Sequence, residues 1–155
     1  MRRGVLTALM LITAGCATGG TGDVLVPPGS RLILNEPLTI PGRESYVPFQ
    51  DGKTRFSSFV DPYYPNCRLV LKKKTRIPLT LNPGAFEITD TRFGDSEMVG
   101  SDTYRYFTSM SLHADKQPQV AKMICQKWNN TGDDTDVTVE DIRATLGRWF
   151  TLQLP

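Results

Sequence analysis

Histidine is almost absent from this sequence, since His113 is the single one among 155 residues. A Ser-His-acid hydrolase would therefore need His113 as its base. That residue comes just after a predicted strand, where a solvated loop histidine is the simpler interpretation, and no Gly-x-Ser-x-Gly motif accompanies it. We therefore expect a protein that is not an enzyme.

Patterns of metal ligands are missing as well. The three cysteines have no CxxC spacing, which a structural zinc site would favour. Asp133, Asp134 and Asp136 lack the glycine and the later glutamate of a calcium loop. Asp95 and Glu97 offer a carboxylate pair of the kind that glycosidases use, but a solvated loop is the simpler interpretation. We expect neither a metal nor a cofactor.

Excess positive charge is confined to the start of the chain. The formal net charge is +2, and without Arg2 and Arg3 the number of basic residues equals that of the 16 acidic ones. A nucleic-acid-binding domain normally carries a basic excess. We therefore expect no nucleic-acid partner.

No apolar run reaches the roughly 20 residues that a membrane-spanning helix needs. The uncharged stretch from Gly4 to Gly15 follows Arg2 and Arg3 and ends in small residues before Cys16. A positive start, a short apolar run and small residues, in that order, are typical of a secretory signal peptide. The sequence therefore predicts an exported protein.

The end of this stretch, Thr13-Ala14-Gly15-Cys16, resembles the lipobox of bacterial lipoprotein precursors, in which small residues precede a cysteine that is lipidated. That family usually has leucine where this chain has Thr13. The resemblance covers the signal alone, and it implies a signal peptide over residues 1–15 and membrane attachment through acyl chains on Cys16. An ordinary signal peptide cut after Ala17 is the alternative, and it would discard Cys16.

Sorting is implied by the residue that follows the cysteine. In enterobacterial lipoproteins an aspartate there retains the protein in the inner membrane, and this chain has Ala17 instead. The resemblance thus implies a lipid anchor in the outer membrane and a domain that faces the periplasm. We expect residues 16–29, rich in glycine and with two prolines near their end, to form a flexible tether. Residues 30–155 then form a single domain.

Two cysteines remain once Cys16 is assigned to the lipid. In the oxidising compartment that an exported protein reaches, an even pair of cysteines predicts a disulfide, here between Cys67 and Cys125. Two separate buried thiols are the alternative. A bond of this kind typically stabilises a small secreted domain by about 2–4 kcal/mol.

Alternation of apolar and polar residues predicts a series of short strands. The longest alternation runs from Tyr104 to Leu112, and Ile77 to Leu81 also alternates. Asp51-Gly52 predicts a tight turn in a hairpin over Tyr46 to Val60. The stretch from Gly94 to Asp102 is polar and predicts a loop.

One segment is ambiguous and one predicts a helix. Val120 to Trp128 fits a helix or a strand, and we choose the strand because it lets Cys125 face Cys67. Thr138-Val139-Glu140-Asp141 resembles a capping box, and Gly147 is a suitable helix end. The predicted fold is mainly β, an antiparallel β-sandwich or barrel-like domain with one short C-terminal helix.

Two groups of side chains are candidates for binding. Six aromatic residues predict either a contact surface or core packing around Cys67: Tyr46, Phe49, Phe56, Phe59, Tyr63 and Tyr64. Among them Tyr63 and Tyr64 lie between prolines. Lys72, Lys73 and Lys74 are suited to anionic headgroups, although such a run is more often a solvated strand end.

These observations favour a non-enzymatic accessory or structural module of the outer membrane that contacts another envelope protein. The alternative is a periplasmic domain that binds or acts on carbohydrate or peptidoglycan. Co-purification of a protein from a detergent extract would support the first, and binding to cell-wall fragments the second.

Overall fold

The computed structural model describes residues 26–98, 100, 102–130 and 136–155. The predicted signal peptide, Cys16, most of the predicted tether, Asp133 and Asp134 lie outside these ranges. The strands are β1 (Arg31–Leu34), β2 (Leu38–Ile40), β3 (Tyr46–Gln50), β4 (Lys53–Thr54), β5 (Asn66–Leu71), β6 (Leu79–Leu81), β7 (Gly84–Glu97), β8 (Thr103–His113), β9 (Val120–Asn130) and β10 (Phe150–Gln153). One α-helix, α1 (Val139–Leu146), lies between β9 and β10.

Eight of these strands form one antiparallel sheet in the order β10-β1-β7-β8-β9-β5-β3-β4. β2 and β6 pair separately, with Leu38 opposite Leu81. The predicted mainly β fold with one short C-terminal helix is confirmed. The ambiguous segment is indeed a strand, because it forms most of β9.

The sheet curls so that strands far apart in its order come together. Phe49 on β3 meets Phe150 on β10 edge to face, with ring centroids 5.7 Å apart. Trp149 meets the same Phe49 ring at 6.4 Å. The helix α1 packs against β10, β5 and β3. The curled sheet and the helix therefore enclose one apolar core.

The helix begins and ends as its sequence predicts. Thr138 caps it, because its hydroxyl accepts the Asp141 N–H while the Asp141 carboxylate accepts the Thr138 N–H. Asp141 also accepts a hydrogen bond from Lys127 on β9 at 3.1 Å, so the helix start is fixed to the sheet. Val139, Ile142 and Leu146 are buried against the sheet.

The core contains the predicted disulfide. Cys67 on β5 lies directly opposite Cys125 on β9, and the two sulfur atoms are bonded. Both cysteines are 1% exposed. Leu69 and Leu71 point to the same side as Cys67 because side chains alternate along a strand. The prediction of a disulfide is confirmed, and separate thiols are excluded.

The predicted hairpin is present but shorter than expected. Asp51 and Gly52 both have positive φ, 53° and 70°, as a type I′ turn requires. β4 then contains only Lys53–Thr54, and a 3-10 turn, Ser57–Phe59, follows instead of a strand reaching Val60. The aromatic residues after Thr54 thus belong to a loop.

Three other local expectations are corrected. The predicted strand over residues 77–81 begins only at Leu79, and Ile77 is 74% exposed. The predicted loop begins later than Gly94, because β7 continues to Glu97 and pairs with β8 from Glu87 to Glu97. Packing also begins before Ser30, since Val26 is 1% exposed and belongs to the core. The polar end of β7 forms a strand because its backbone pairs with β8, although its side chains are not buried in the core.

Candidate functional site

A run of exposed aromatic side chains occupies residues 56–64, which we call the aromatic segment. Half or more of each of its large side chains is accessible: Phe56 (74%), Phe59 (72%), Tyr64 (64%) and Tyr63 (53%). Phe49, by contrast, is fully buried, and Tyr46 is partly buried. The interpretation as core packing therefore holds for Phe49 and is wrong for the aromatic segment.

The backbone of the aromatic segment is held by a buried glutamine. Gln50 is 4% exposed, and its side-chain N–H donates to the Asp61 carbonyl at 2.8 Å. Its side-chain oxygen accepts the Asp61 N–H at 3.0 Å. Because the backbone N–H and C=O of one residue both bind the same side-chain amide, this pair fixes the position and direction of the loop at Asp61.

Further contacts hold the rest of the aromatic segment. The backbone N–H of Trp128 on β9 donates to the Pro62 carbonyl at 2.7 Å, so the loop runs alongside β9 just before β5 begins to pair with it. The Tyr63 N–H donates to the Asp61 carboxylate at 3.0 Å. Asn66 donates to the Tyr64 carbonyl at 3.0 Å. The exposed rings thus project from a backbone that is anchored at several points.

The disulfide joins residues that are close in sequence to this region. Cys67 follows the aromatic segment by only three residues and is bonded to Cys125, three residues before Trp128. The bond therefore joins β5, which directly follows the aromatic segment, to β9, which carries Trp128. It is a structural element of the site and contributes no accessible sulfur, since both cysteines are 1% exposed.

The aromatic segment continues onto the outer face of the sheet. Tyr63 meets Trp128 edge to face at 5.8 Å. Trp128 lies opposite Arg105 in the β8–β9 register, and the Arg105 guanidinium stacks over Phe107 at 5.0 Å. We call Tyr63, Trp128, Arg105 and Phe107 the outer strip. On the same face, Arg68 stacks over Tyr46 at 5.8 Å.

The outer face of four neighbouring strands carries charge of one sign. β3, β5, β8 and β9 contain no aspartate or glutamate, whereas their outer face carries Arg68, Arg105 and Lys122. Arg68 Nε, Arg105 Nε and Trp128 Nε1, which are donors, and Gln126 Oε1, which is an acceptor, are covered and have no hydrogen-bond partner among the described residues. The charged groups on the outer face of these four strands are all cations. The face is thus suited to a partner that brings acceptors, carboxylates above all.

The lysine run does not join this site. Lys72, Lys73 and Lys74 are exposed, as expected of a solvated strand end. They follow the last residue of β5, whereas Tyr63 and Tyr64 precede its first. The six residues of β5 span roughly 20 Å. The two groups named together from the sequence therefore lie at opposite ends of one strand.

The carboxylate and histidine candidates for catalysis are also apart. Asp95 and Glu97 are exposed on β7, and His113 is exposed at the end of β8 with Nε2 3.2 Å from the Asp115 carboxylate. Glu87, not Asp95 or Glu97, is the β7 residue opposite His113 in the register. Within the described ranges, no group of three or more His, Cys, Asp or Glu side chains is placed to hold a metal ion.

Sequence reasoning did not find the most informative residue of the site. Gln50 ends a strand and is followed by the turn, and nothing in its spacing predicts that its amide binds Asp61, 11 residues further on. The signal that existed was Asp61-Pro62 together with Pro65, which predicts a fixed loop. This pattern predicted the loop but not the Gln50 side chain that anchors it.

The chain matches no protein-family model, no curated protein and no solved structure. In the part of the chain that the structure describes, no helix has the length and apolar character needed to cross a membrane.

Proposed function

We propose that this protein is a non-enzymatic binding module of the outer membrane, held there by a lipid on Cys16, and that its aromatic segment contacts another envelope protein. The observation that carries the proposal is the exposure of four aromatic side chains on a backbone anchored by Gln50. Clustered exposed apolar groups of this kind mark interaction sites in proteins that are otherwise well packed.

The composition of the surface supports a protein partner. Tyrosine, tryptophan, phenylalanine and arginine are enriched at protein interfaces, and tyrosine, tryptophan and arginine at their energetic centres. The aromatic segment and the outer strip provide these residue types side by side. A loop already held in place also loses little conformational entropy on binding.

The charge of the outer face indicates the chemistry of the partner. Arg68, Arg105 and Lys122 have no acidic neighbour on β3, β5, β8 or β9. A partner surface with carboxylates would pair with these cations and raise the association rate. Binding is then expected to weaken as the salt concentration rises, because salt screens exposed charges.

The experiment is site-specific photocrosslinking in cells. A photoreactive phenylalanine analogue replaces Phe59, and a matched control replaces Phe93, which is 54% exposed and lies on β7. We expect one discrete protein adduct from position 59 and none from position 93. Equal adducts from both positions, or none from position 59, would contradict the proposal. Retention on cell-wall fragments without any protein adduct would favour the carbohydrate alternative.

A further inference from the structure

A cleft of about 690 Å³ lies beside the aromatic segment. It is bounded by β2, β3, the residues that follow β4, and Trp149 just before β10. This volume falls within the roughly 300–1,000 Å³ typical of small-molecule sites. The cleft is separate from the outer strip, although Phe56 belongs both to its wall and to the aromatic segment.

The floor of the cleft is apolar. Leu38 and Val47 are 1% and 4% exposed, and Pro48 is buried beside them. Two aromatic rings, Tyr46 and Trp149, are partly buried in the lining. Such a floor offers flat apolar surfaces to the face of a ligand.

The rim, in contrast, is lined by hydroxyl groups. Thr39, Thr54, Ser57 and Ser58 are all exposed there. A hydroxyl both donates and accepts hydrogen bonds, so this rim suits a ligand whose own edge does both. The Tyr46 hydroxyl donates to Ser57 at 2.9 Å, which fixes one part of the rim.

The charge of the lining is balanced. Among the described residues that line the cleft, Glu44 and Arg55 are the charged ones, and Arg55 is already held by Asp51 at 3.3 Å. A phosphorylated or polyanionic ligand would find one cation and one anion, which gives no net attraction. The chemistry therefore favours an uncharged ligand.

The backbone of the wall disfavours an extended peptide. Pro37, Pro41 and Pro48 line the cleft, and proline has no N–H to donate to an added strand. The Pro48 carbonyl is already used, because it accepts the Arg55 N–H at 2.9 Å. Recognition in the cleft must therefore rely on side chains, whereas strand addition relies on main-chain hydrogen bonds.

We infer that this cleft binds a neutral oligosaccharide. A sugar ring has an apolar C–H face and an edge of hydroxyl groups, which are the two surfaces that the floor and the rim complement. This site shares Phe56, Ser57 and Ser58 with the aromatic segment of the proposed protein contact and has no residue in common with the outer strip.

The test is a titration that follows tryptophan fluorescence. The protein is the full chain without its predicted signal peptide, and the ligands are the neutral sugars chitotriose, cellotriose and maltotriose. The chain has two tryptophans, of which Trp149 lines the cleft and Trp128 packs against Tyr63. We expect a saturable change with at least one sugar below about 10 mM, a concentration that corresponds to weak binding. The change should persist in Trp128→Phe and disappear in Trp149→Phe.

A matched pair of variants locates the binding. Phe56 lines the cleft and Phe59 does not, although the two rings contact each other and are 74% and 72% exposed. Phe56→Ala should weaken sugar binding about tenfold, or about 1.4 kcal/mol, and Phe59→Ala should leave it unchanged. Isothermal titration calorimetry gives both affinities.

Two results would overturn the inference. One is that none of the three sugars gives a saturable change in fluorescence. This result overturns the inference also when a proline-rich peptide changes the Trp149 fluorescence instead. The other is equal sugar affinity for Phe56→Ala and the unsubstituted chain. Loss of the photocrosslink from position 59 with sugar binding intact would contradict the proposed protein contact alone, so the two failures are distinguishable.

Discussion

The backbones of Gly147 and Gly52 are in direct contact, so that a Cβ atom on Gly147 would lie 2.5 Å from the Gly52 Cα. Gly147 ends the helix α1, and Gly52 belongs to the turn between β3 and β4. The Gly52 N–H also donates to the Thr145 carbonyl at 3.0 Å. This contact fixes the helix against the hairpin that precedes the aromatic segment.

We therefore expect Gly147→Ala to lower the free energy of unfolding by about 2–4 kcal/mol, since it adds both overpacking and an unfavourable positive φ. Gly100→Ala is the matched control, because Gly100 also has positive φ (81°) but nothing within 4 Å of its would-be Cβ. The control should lose only about 1 kcal/mol. Urea unfolding measures both, and equal losses would show that the contact with Gly52 is unimportant.

The disulfide gives a second prediction about stability. Cys67→Ala with Cys125→Ala should lower the free energy of unfolding by about 2–5 kcal/mol, the usual loss for a native disulfide in a small secreted domain. Denaturant unfolding of the variant and of the reduced natural chain should agree. Alkylation of the denatured, non-reduced chain should modify neither cysteine, and modification of both would contradict the assignment.

The local structure was largely predictable because local chemistry determines it. Asp51 and Gly52 can adopt the positive φ that a type I′ turn requires at both central positions, and Thr138 with Asp141 caps the start of the helix. Cys67 and Cys125 fall on the inward side of strands that alternate. The turn and the helix cap depend on residues that are near in sequence, and the inward orientation of the cysteines depends on the two-residue alternation of side chains along a strand.

The strand order and the candidate site were not predictable, because both depend on residues far apart in the chain. Nothing in periodicity indicates that β1 pairs with both β7 and β10, or that Phe49 meets Phe150. Ile77 alternates with Leu79 but lies outside the strand, since only tertiary pairing decides where a short strand begins. The Gln50–Asp61 pair is non-local in the same sense.

The anchor of the aromatic segment has a testable role. Gln50→Ala should lower stability by about 1–3 kcal/mol through the loss of two buried hydrogen bonds. The amide of Asp61 should then exchange hydrogen faster, and partner binding should weaken because the loop is no longer preorganised. Hydrogen exchange by mass spectrometry measures this, with the exposed Gln153→Ala as control. Unchanged exchange at Asp61 would argue against the anchoring role.

The lipid anchor is tested separately from the domain. Intact mass of the mature protein should show acyl chains on an N-terminal cysteine at position 16, because the sulfur of Cys16 receives the lipid in the proposed function. Cys16→Ser should yield an unlipidated precursor or a soluble product. A mature N-terminus at Thr18 without lipid mass would refute the lipobox interpretation and leave the ordinary signal peptide.

The aromatic segment itself is tested by Tyr63→Ala combined with Tyr64→Ala. These side chains are 53% and 64% exposed, so their truncation removes little buried area. The loss of stability should stay within about 1.5 kcal/mol, mainly the edge-to-face contact of Tyr63 with Trp128. Phe93→Ala, also at an exposed ring, controls for general loss of apolar surface.

The decisive measurement compares the melting temperature of this double variant with the amount of envelope protein that co-purifies with it from a detergent extract. We expect a melting temperature close to that of the unsubstituted chain, no co-purifying partner, and full co-purification with Phe93→Ala. A loss of several kcal/mol in stability together with unchanged co-purification, as for buried aromatic residues, would contradict recognition by the aromatic segment.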